Sequence, residues 1–198
     1  MKTFLVVGQA QSEADEQSII EGRLDTNLSE LGHKQAEALG EYISVNYRVD
    51  KIYCSTLKRA YQTAQHLASH TKVLLTPNEF LIDCNEGELQ GKQKSDIKHL
   101  KMNSEKLHES VYGQESKLSV AYRAECAISK ILSETKENET VVIVSHDKLI
   151  SQLCSAFLRL PVDSNMFFQT QKAAIHEWRI ENGMREIVYM NKVEHLLK

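Results

Sequence analysis

Two short, uninterrupted apolar runs place the strongest constraint on the fold of this chain. Residues 4–7 and 141–144 are each four apolar residues long and lie near opposite ends of the 198-residue sequence. Runs of this length predict strands buried on both faces, because they are too short for a core helix. Gly8 follows the first run directly, and Ser145 follows the second. In open α/β sheets ligands bind at the carboxyl ends of strands, so we expect a functional site at these turns.

Segments with helical spacing alternate with strand-like runs along the chain. In the segment 30–46, the apolar positions fall on one helical face: Leu31, Ala38, Leu39, Tyr42 and Ile43. Further helices are predicted over 57–70, 118–134 and 148–158, and strands over 3–7, 51–54, 72–75, 141–144, 174–180 and 186–191. This alternation predicts an α/β fold, a three-layer α/β/α sandwich around a mainly parallel central sheet.

Composition is that of an ordinary globular domain, with 41% hydrophobic and 26% charged residues. A net charge of −3 gives no reason to expect binding to nucleic acid or to a membrane surface. No apolar run approaches the roughly 20 residues of a membrane span. The four cysteines are widely scattered, which favours reduced thiols over a metal or redox site, and we expect no cofactor. Because the chain enters a strand without a signal-like segment, we expect a cytoplasmic protein.

The segment 91–117 is the one shift in composition, rich in Lys, Ser, Glu and His and poor in large apolar residues. We interpret it as a solvated helical excursion on the surface. The alternative is a cap or lid over the site. In either case residues 1–198 are expected to form a single domain.

The first turn carries a resemblance to a known family. Residues 5–15 resemble the opening signature of the histidine phosphatase (phosphoglycerate mutase-like) superfamily: a strand, Arg-His-Gly, Gln or Glu, Ser or Thr, and then Asn. Gln11 and Ser12 fit this pattern, and Asp15 stands in place of the Asn. Gly-Gln-Ala occupies the place of Arg-His-Gly, so that Gln9 stands where the family has its nucleophilic histidine.

Two further segments resemble the phosphate pocket of that family. Residues 54–64 match a strand–turn–helix segment ending in Arg-Ala-x-Gln-Thr-Ala, which implies that Arg59 holds the phosphoryl group. A planar guanidinium suits that role because it can bind two phosphate oxygens at once; outside this context Arg59 would be read as a surface ion-pair partner. Residues 141–147 resemble the family's strand followed by Ser-His-Gly, which implies that His146 is the second pocket histidine. Asp147 replaces the glycine, and its carboxylate could pair with His146 or repel a phosphate.

A fourth segment, 81–91, resembles the family pattern Leu-x-Glu-x-x-x-Gly-x-x-x-Gly, which implies that Asp83 is the acid that protonates the leaving oxygen. The family also inserts its variable cap at the position of 91–117. Lesser matches extend the resemblance over essentially the whole chain: Gly22-Arg23, the segment 28–36, the segment 113–116 with Arg123, and Asn191 with His195-Leu196.

The departures from the family decide the functional hypothesis. An amide nitrogen such as that of Gln9 has no available lone pair, and by analogy with nucleophile removal in another covalent enzyme we expect a loss in kcat of about 10⁶. Loss of the arginine at position 8 removes a contact worth only about 1.5–3 kcal/mol. We therefore hypothesise an impaired phosphatase-like protein that binds a phosphorylated small molecule or phosphoprotein. A protein partner or a homodimer is also possible.

In this hypothesis Gln9, Ser12, Arg59 and His146 hold the phosphate, while Asp83 and His146 occupy catalytic positions. We expect Gln9, Arg59, Asp83 and His146 to converge on one pocket. The alternative is an active phosphatase or mutase-like enzyme that uses His146 or another relocated nucleophile.

Overall fold

A computed structural model describes residues 1–100, 104 and 106–197 of the chain. The helices are α1 (Glu13–Glu16), α2 (Glu30–Asn46), α3 (Lys58–Thr71), α4 (Lys117–Glu134) and α5 (Asp147–Leu158). The strands are β1 (Lys2–Gly8), β2 (Lys51–Cys54), β3 (Leu75–Pro77), β4 (Thr140–Ser145), β5 (Ile175–Glu181) and β6 (Met184–Lys192).

The strands form one sheet with the order β3-β2-β4-β1-β5-β6. The strands β3, β2, β4 and β1 are parallel, whereas β5 is antiparallel to both of its neighbours, β1 and β6. The predicted α/β architecture is confirmed, with a mixed central sheet. β1 and β4 are neighbours in a register that sets Gly8 opposite Ser145, so the two turns that follow the apolar runs lie side by side.

Helices cover both faces of the sheet, which explains why the runs of β1 and β4 are apolar without alternation. Phe4 and Val6 join the core cluster under α4 and α5, whereas Leu5 and Val7 join the cluster under α2 and α3. Each fully buried side chain of this size stabilises the fold by about 1.5–3 kcal/mol. The two cores hold the sheet rigidly, and with it the edge where β1 and β4 end.

The strand predicted over 72–75 was misplaced. Helix α3 continues to Thr71 and is ended by Lys72 in a left-handed conformation with φ 59°. The chain therefore joins the sheet only at Leu75, and Pro77 closes β3 at the sheet's edge. Proline is tolerated at that position because an edge strand leaves amide positions without a partner strand.

The segment 91–117 forms turns and bends over its described residues 91–100, 104 and 106–116, and α4 begins at Lys117 behind a Ser116 cap. The helical excursion expected there is thus not seen in these residues, while 101–103 and 105 lie outside the described part. Among the described helices, none is both long and apolar enough to cross a bilayer.

Candidate functional site

The structure brings Gln9, Arg59, Asp83 and His146 together at the carboxyl ends of β1 and β4. The backbone N–H of Gln9 donates to the Ser145 carbonyl over 2.9 Å, which ties the two turns to each other. All four predicted side chains are buried, and those of Arg59 and His146 are fully so. The four side chains are thus close together, as expected from sequence; a shared ligand pocket and their roles toward a ligand remain predictions.

Arg59 is bound by the protein itself. It lies in the first turn of α3, where Nη1 donates to the Leu24 carbonyl over 2.8 Å and Nη2 to the Gly22 carbonyl over 2.7 Å. Nη2 also donates to Oδ2 of Asp83 over 2.9 Å, and Nε lies 3.5 Å from a carboxylate oxygen of Glu21. Two buried carboxylates therefore balance the charge of the guanidinium before any ligand arrives.

Asp83 is a carboxyl group with an unusual proton affinity. Burial raises its pKa to about 6, an effect that the Arg59 guanidinium opposes and the Asp147 carboxylate reinforces. Its Oδ1 accepts a hydrogen bond from the Cys84 N–H over 2.8 Å, and its Oδ2 lies 3.7 Å from Nδ1 of His146. A carboxyl with such a pKa can carry a proton near neutral pH.

His146 is held in one tautomer by its neighbours. We assign the orientation of the Gln9 amide from its neighbours: with its oxygen facing the Lys172 ammonium, its nitrogen meets two acceptors, Nδ1 of His146 at 3.3 Å and the Ser145 carbonyl at 3.1 Å. Since Nδ1 accepts from Gln9, the ring proton lies on Nε2, which donates to Oγ of Ser55 over 2.8 Å. Burial, and secondarily the Arg59 charge, keeps the pKa of His146 well below its usual value. The ring is therefore a neutral imidazole whose two nitrogens are both engaged.

Lys172 completes the group, and the sequence analysis missed it. Its Nζ lies 2.8 Å from the Gln9 amide oxygen and 2.5 Å from Oδ2 of Asp15. It belongs to no family motif, but it immediately precedes the residues that pair with the end of β1. The Ala173 N–H donates to the Gln9 carbonyl, and β5 then runs antiparallel to β1. Placing β5 beside β1 would have been the only signal for it.

Ser12 lies at the start of α1 and acts there as a helix cap. Its Oγ accepts from the Asp15 N–H over 2.9 Å and donates to Asp15 Oδ2 over 3.1 Å. Although burial raises the pKa of Asp15, the Lys172 ammonium prevails and lowers it. Ser12 thus contacts the carboxylate that holds Lys172, rather than Gln9 or His146.

The loop that carries Asp83 is braced by a charged cluster formed by the lesser family matches. Arg123 donates to both oxygens of Glu115, over 2.7 and 2.9 Å, and to the Ile82 carbonyl over 2.9 Å. Arg23 donates to Glu115 over 3.1 Å and to the Asp83 carbonyl over 3.3 Å. These contacts fix the backbone at Asp83 and give the three residues a supporting role.

A cleft of about 570 Å³ lies beside this loop. Cys84 and Lys148 line it on the side of the site, while Val111 and Lys117 belong to the polar segment 91–117. Met166 and Phe167 add exposed apolar surface at its rim. The size is that of a small-molecule site.

Known proteins resemble this chain in sequence and in fold. The sequence profile of the histidine phosphatase superfamily (branch 1) matches residues 6–193. Putative phosphoserine phosphatase 2 of Hydrogenobacter thermophilus is 28% identical over 202 residues, covering 98% of each chain. Glucosyl-3-phosphoglycerate phosphatase of Mycobacterium tuberculosis is 29% identical over 178 residues, covering 81% of this chain and 77% of that protein.

A solved structure of mycobacterial glucosyl-3-phosphoglycerate phosphatase, in complex with VO3, superposes with a TM-score of 0.85. It is 25% identical and covers 96% of this chain and 99% of that one.

Proposed function

Since the chain belongs to the histidine phosphatase superfamily (branch 1), we propose that it binds a small phosphomonoester without transferring the phosphoryl group. The proposal rests on the residue at position 9 and on its hydrogen bonds. The residue there is Gln9, which is 3% exposed and whose side-chain amide donates to His146 and accepts from Lys172. In this proposal the protein is a pseudophosphatase, which has the fold of the family but not its activity.

The chemistry of Gln9 supports the loss of phosphoryl transfer. Transfer in the family begins with attack on phosphorus by a ring nitrogen, and an amide nitrogen has no lone pair to offer. The loss expected in kcat is about 10⁶.

His146 is a poor substitute nucleophile in this geometry. Its Nδ1 accepts from Gln9 and its Nε2 donates to Ser55, so attack would first require breaking one of these contacts. The ring is also fully buried. These contacts favour the binding role over the enzyme with a relocated nucleophile.

The class of ligand is suggested by the named relatives. Phosphoserine and glucosyl-3-phosphoglycerate both carry a phosphomonoester and a carboxylate on one small molecule. In this chain Lys172 lies at the strand edge, while the neighbouring cleft is lined by Lys117 and Lys148 together with Glu86, Glu109 and Glu115, and Lys148 is paired with Glu86. From the relatives' substrates we therefore propose a ligand with these two anionic groups, its phosphate at the edge beside Lys172, with the segment 91–117 as its cap.

The remaining parts of the hypothesis concern location and partners. The four cysteines are free thiols in the structure, as a reducing compartment would leave them. A cytoplasmic location, and a phosphoprotein or second copy as partner, remain part of the proposal.

Hydrolysis of an aryl phosphate at acidic and at neutral pH tests the proposal. We expect the purified protein to release phenol at the rate of the protein-free blank. A steady rate that is abolished in a His146→Ala variant would overturn the proposal and support a relocated nucleophile. Calorimetry with O-phosphoserine provides the binding arm, with serine as the control that lacks the phosphate. Binding of phosphoserine but not of serine is expected, and heats for neither would contradict the binding role.

A further inference from the structure

The end of β1 is closed over by the chain that precedes β5. A Cβ at Gly8 would lie 2.8 Å from the Gln171 carbonyl oxygen and 2.8 Å from Cγ2 of Thr170. Contacts this short leave no room for a side chain at position 8. We call residues 170–172 the covering segment. It occupies the space from which the family's arginine would extend.

Hydrogen bonds to β5 and β6 fix the covering segment in place, and a bond from β1 holds the chain just beyond it. The Gly8 N–H donates to the Ala174 carbonyl over 3.1 Å, and the Gln171 N–H donates to Oδ1 of Asn191 over 2.7 Å. Oγ1 of Thr170 lies 3.1 Å from Nε2 of His176. The side chain of Lys172 therefore starts from a rigid base at the same edge as Gln9 and His146.

Lys172 is also the cation of this group that solvent reaches. Its side chain is 33% exposed, whereas that of Arg59 is 0% exposed and surrounded by the acceptors named above. Its ammonium has two partners, the neutral oxygen of Gln9 and the carboxylate of Asp15. The carboxylate is the partner that an incoming anion could replace.

We propose that Lys172 is the residue that anchors the phosphate, and that Asp15 holds its ammonium until the ligand displaces the carboxylate. The charge that the family places at position 8 would thus be supplied from the covering segment. This inference rests on the proposed binding function and names the residue that sets its affinity. It also replaces Arg59, favoured from sequence, as the main charge on the ligand.

The competition with Asp15 follows from charge. One ammonium cannot make its closest contacts with a carboxylate and a phosphate at the same time, so each weakens the other. Asp15 is an aspartate where the family pattern has asparagine, and the amide would keep the cap on Ser12 without the charge. Asp15→Asn therefore separates the competition from the local fold.

Calorimetry with O-phosphoserine and with inorganic phosphate tests the inference on four proteins. Lys172→Ala should weaken binding roughly ten- to a hundredfold, because a charge-assisted hydrogen bond is lost. Asp15→Asn should strengthen binding about twofold to fivefold. Lys94→Ala is the matched control, since Lys94 also lies near Asp15, at 3.7 Å, and its removal changes the net charge equally.

The results for the variants distinguish the role of Lys172 from the binding function itself. A loss in Lys172→Ala that exceeds the loss in Lys94→Ala, with a gain in Asp15→Asn, supports the inference. Equal losses in the two lysine variants overturn it but leave the binding function standing, as does unchanged binding in Lys172→Ala. Binding by neither wild type nor Asp15→Asn would mean that the proposed function itself is wrong. Circular dichroism of each variant confirms that the proteins compared are folded.

Discussion

Nη2 of Arg59 donates to Oδ2 of Asp83 over 2.9 Å, and the two side chains are only 0% and 12% exposed. A buried charge pair of this kind is costly to break, because the partner left behind has neither water nor a counter-charge. This geometry gives Arg59 a structural role in the protein as it stands without ligand.

Arg59→Ala is therefore expected to lower the free energy of unfolding by about 3–5 kcal/mol, since Asp83 and Glu21 would remain buried without their cation. Arg59→Lys should recover little, because an ammonium cannot reproduce the forked contacts to two carbonyls and a carboxylate. Urea denaturation measures both. The control is Arg48→Ala, whose side chain is 94% exposed and should change stability by less than about 0.5 kcal/mol. An Arg59→Ala protein as stable as wild type, with weaker phosphoserine binding, would return Arg59 to the role of a ligand residue.

Because the pKa of Asp83 is raised, we expect the free energy of unfolding to depend on pH in a specific way. Its pKa is about 6 in the folded chain against 3.8 for the ordinary group, so the folded state holds the extra proton between these values. The contribution of Asp83 to stability is therefore present at low pH and is lost as the pH rises from about 4 to about 6. Asp83→Asn removes this loss and keeps an acceptor for Arg59.

The difference in unfolding free energy, variant minus wild type, should rise by about 1–3 kcal/mol across that pH range. Taking the difference cancels the opposite trend of other buried groups such as His176, whose pKa is lowered by burial. A difference that stays flat with pH would show that the carboxyl of Asp83 titrates normally.

Adding a side chain at Gly8 is expected to destabilise the fold, because the end of β1 is closely packed. Gly8→Ala brings a methyl group to 2.8 Å from the Gln171 carbonyl oxygen and from Cγ2 of Thr170. We expect a loss of about 1–3 kcal/mol in unfolding free energy. Thr170→Ser removes one of the two obstacles and should recover part of this loss in the double variant. Full stability of Gly8→Ala alone would mean that the covering segment yields easily.

The close contacts at Gly8 also affect any attempt to introduce the family's Arg-His-Gly motif. The triple change Gly8→Arg, Gln9→His, Ala10→Gly would rebuild the family motif, but its arginine would have to displace the covering segment. Gln9→His alone avoids that displacement. We expect more acid-labile phosphate on the protein with the single change than with the triple one, and the opposite order would show that the covering segment yields to the arginine.

The sequence predicted the position of those candidate-site residues that directly follow a predictable strand. The runs 4–7 and 141–144 fix two adjacent strand ends, and Gln9 and His146 follow from them directly. Arg59 was placed correctly on its helix, but its partners are largely backbone carbonyls of a distant loop, which carry no sequence signal. For that reason the hydrogen bonds that Nη1 and Nη2 of Arg59 make within the protein could not be foreseen.

The position of Lys172 could not be predicted from the sequence. It reaches Gln9 only because β5 turns back antiparallel beside β1, and a side chain in a connecting segment follows no periodicity. The shift of β3 has a similar origin, since the left-handed Lys72 lengthens the path from α3 to the sheet. In both cases tertiary geometry decided what local patterns left open.

One phosphorus NMR time course of O-phosphoserine with the wild-type protein tests the central claim most directly. The claim is that Gln9 has ended phosphoryl transfer while the strand edge still binds a phosphomonoester. We predict that the phosphoserine resonance shifts or broadens when protein is added, while inorganic phosphate accumulates no faster than in the protein-free sample. An inorganic phosphate resonance that grows steadily with wild type, and fails to grow with His146→Ala, would contradict the claim.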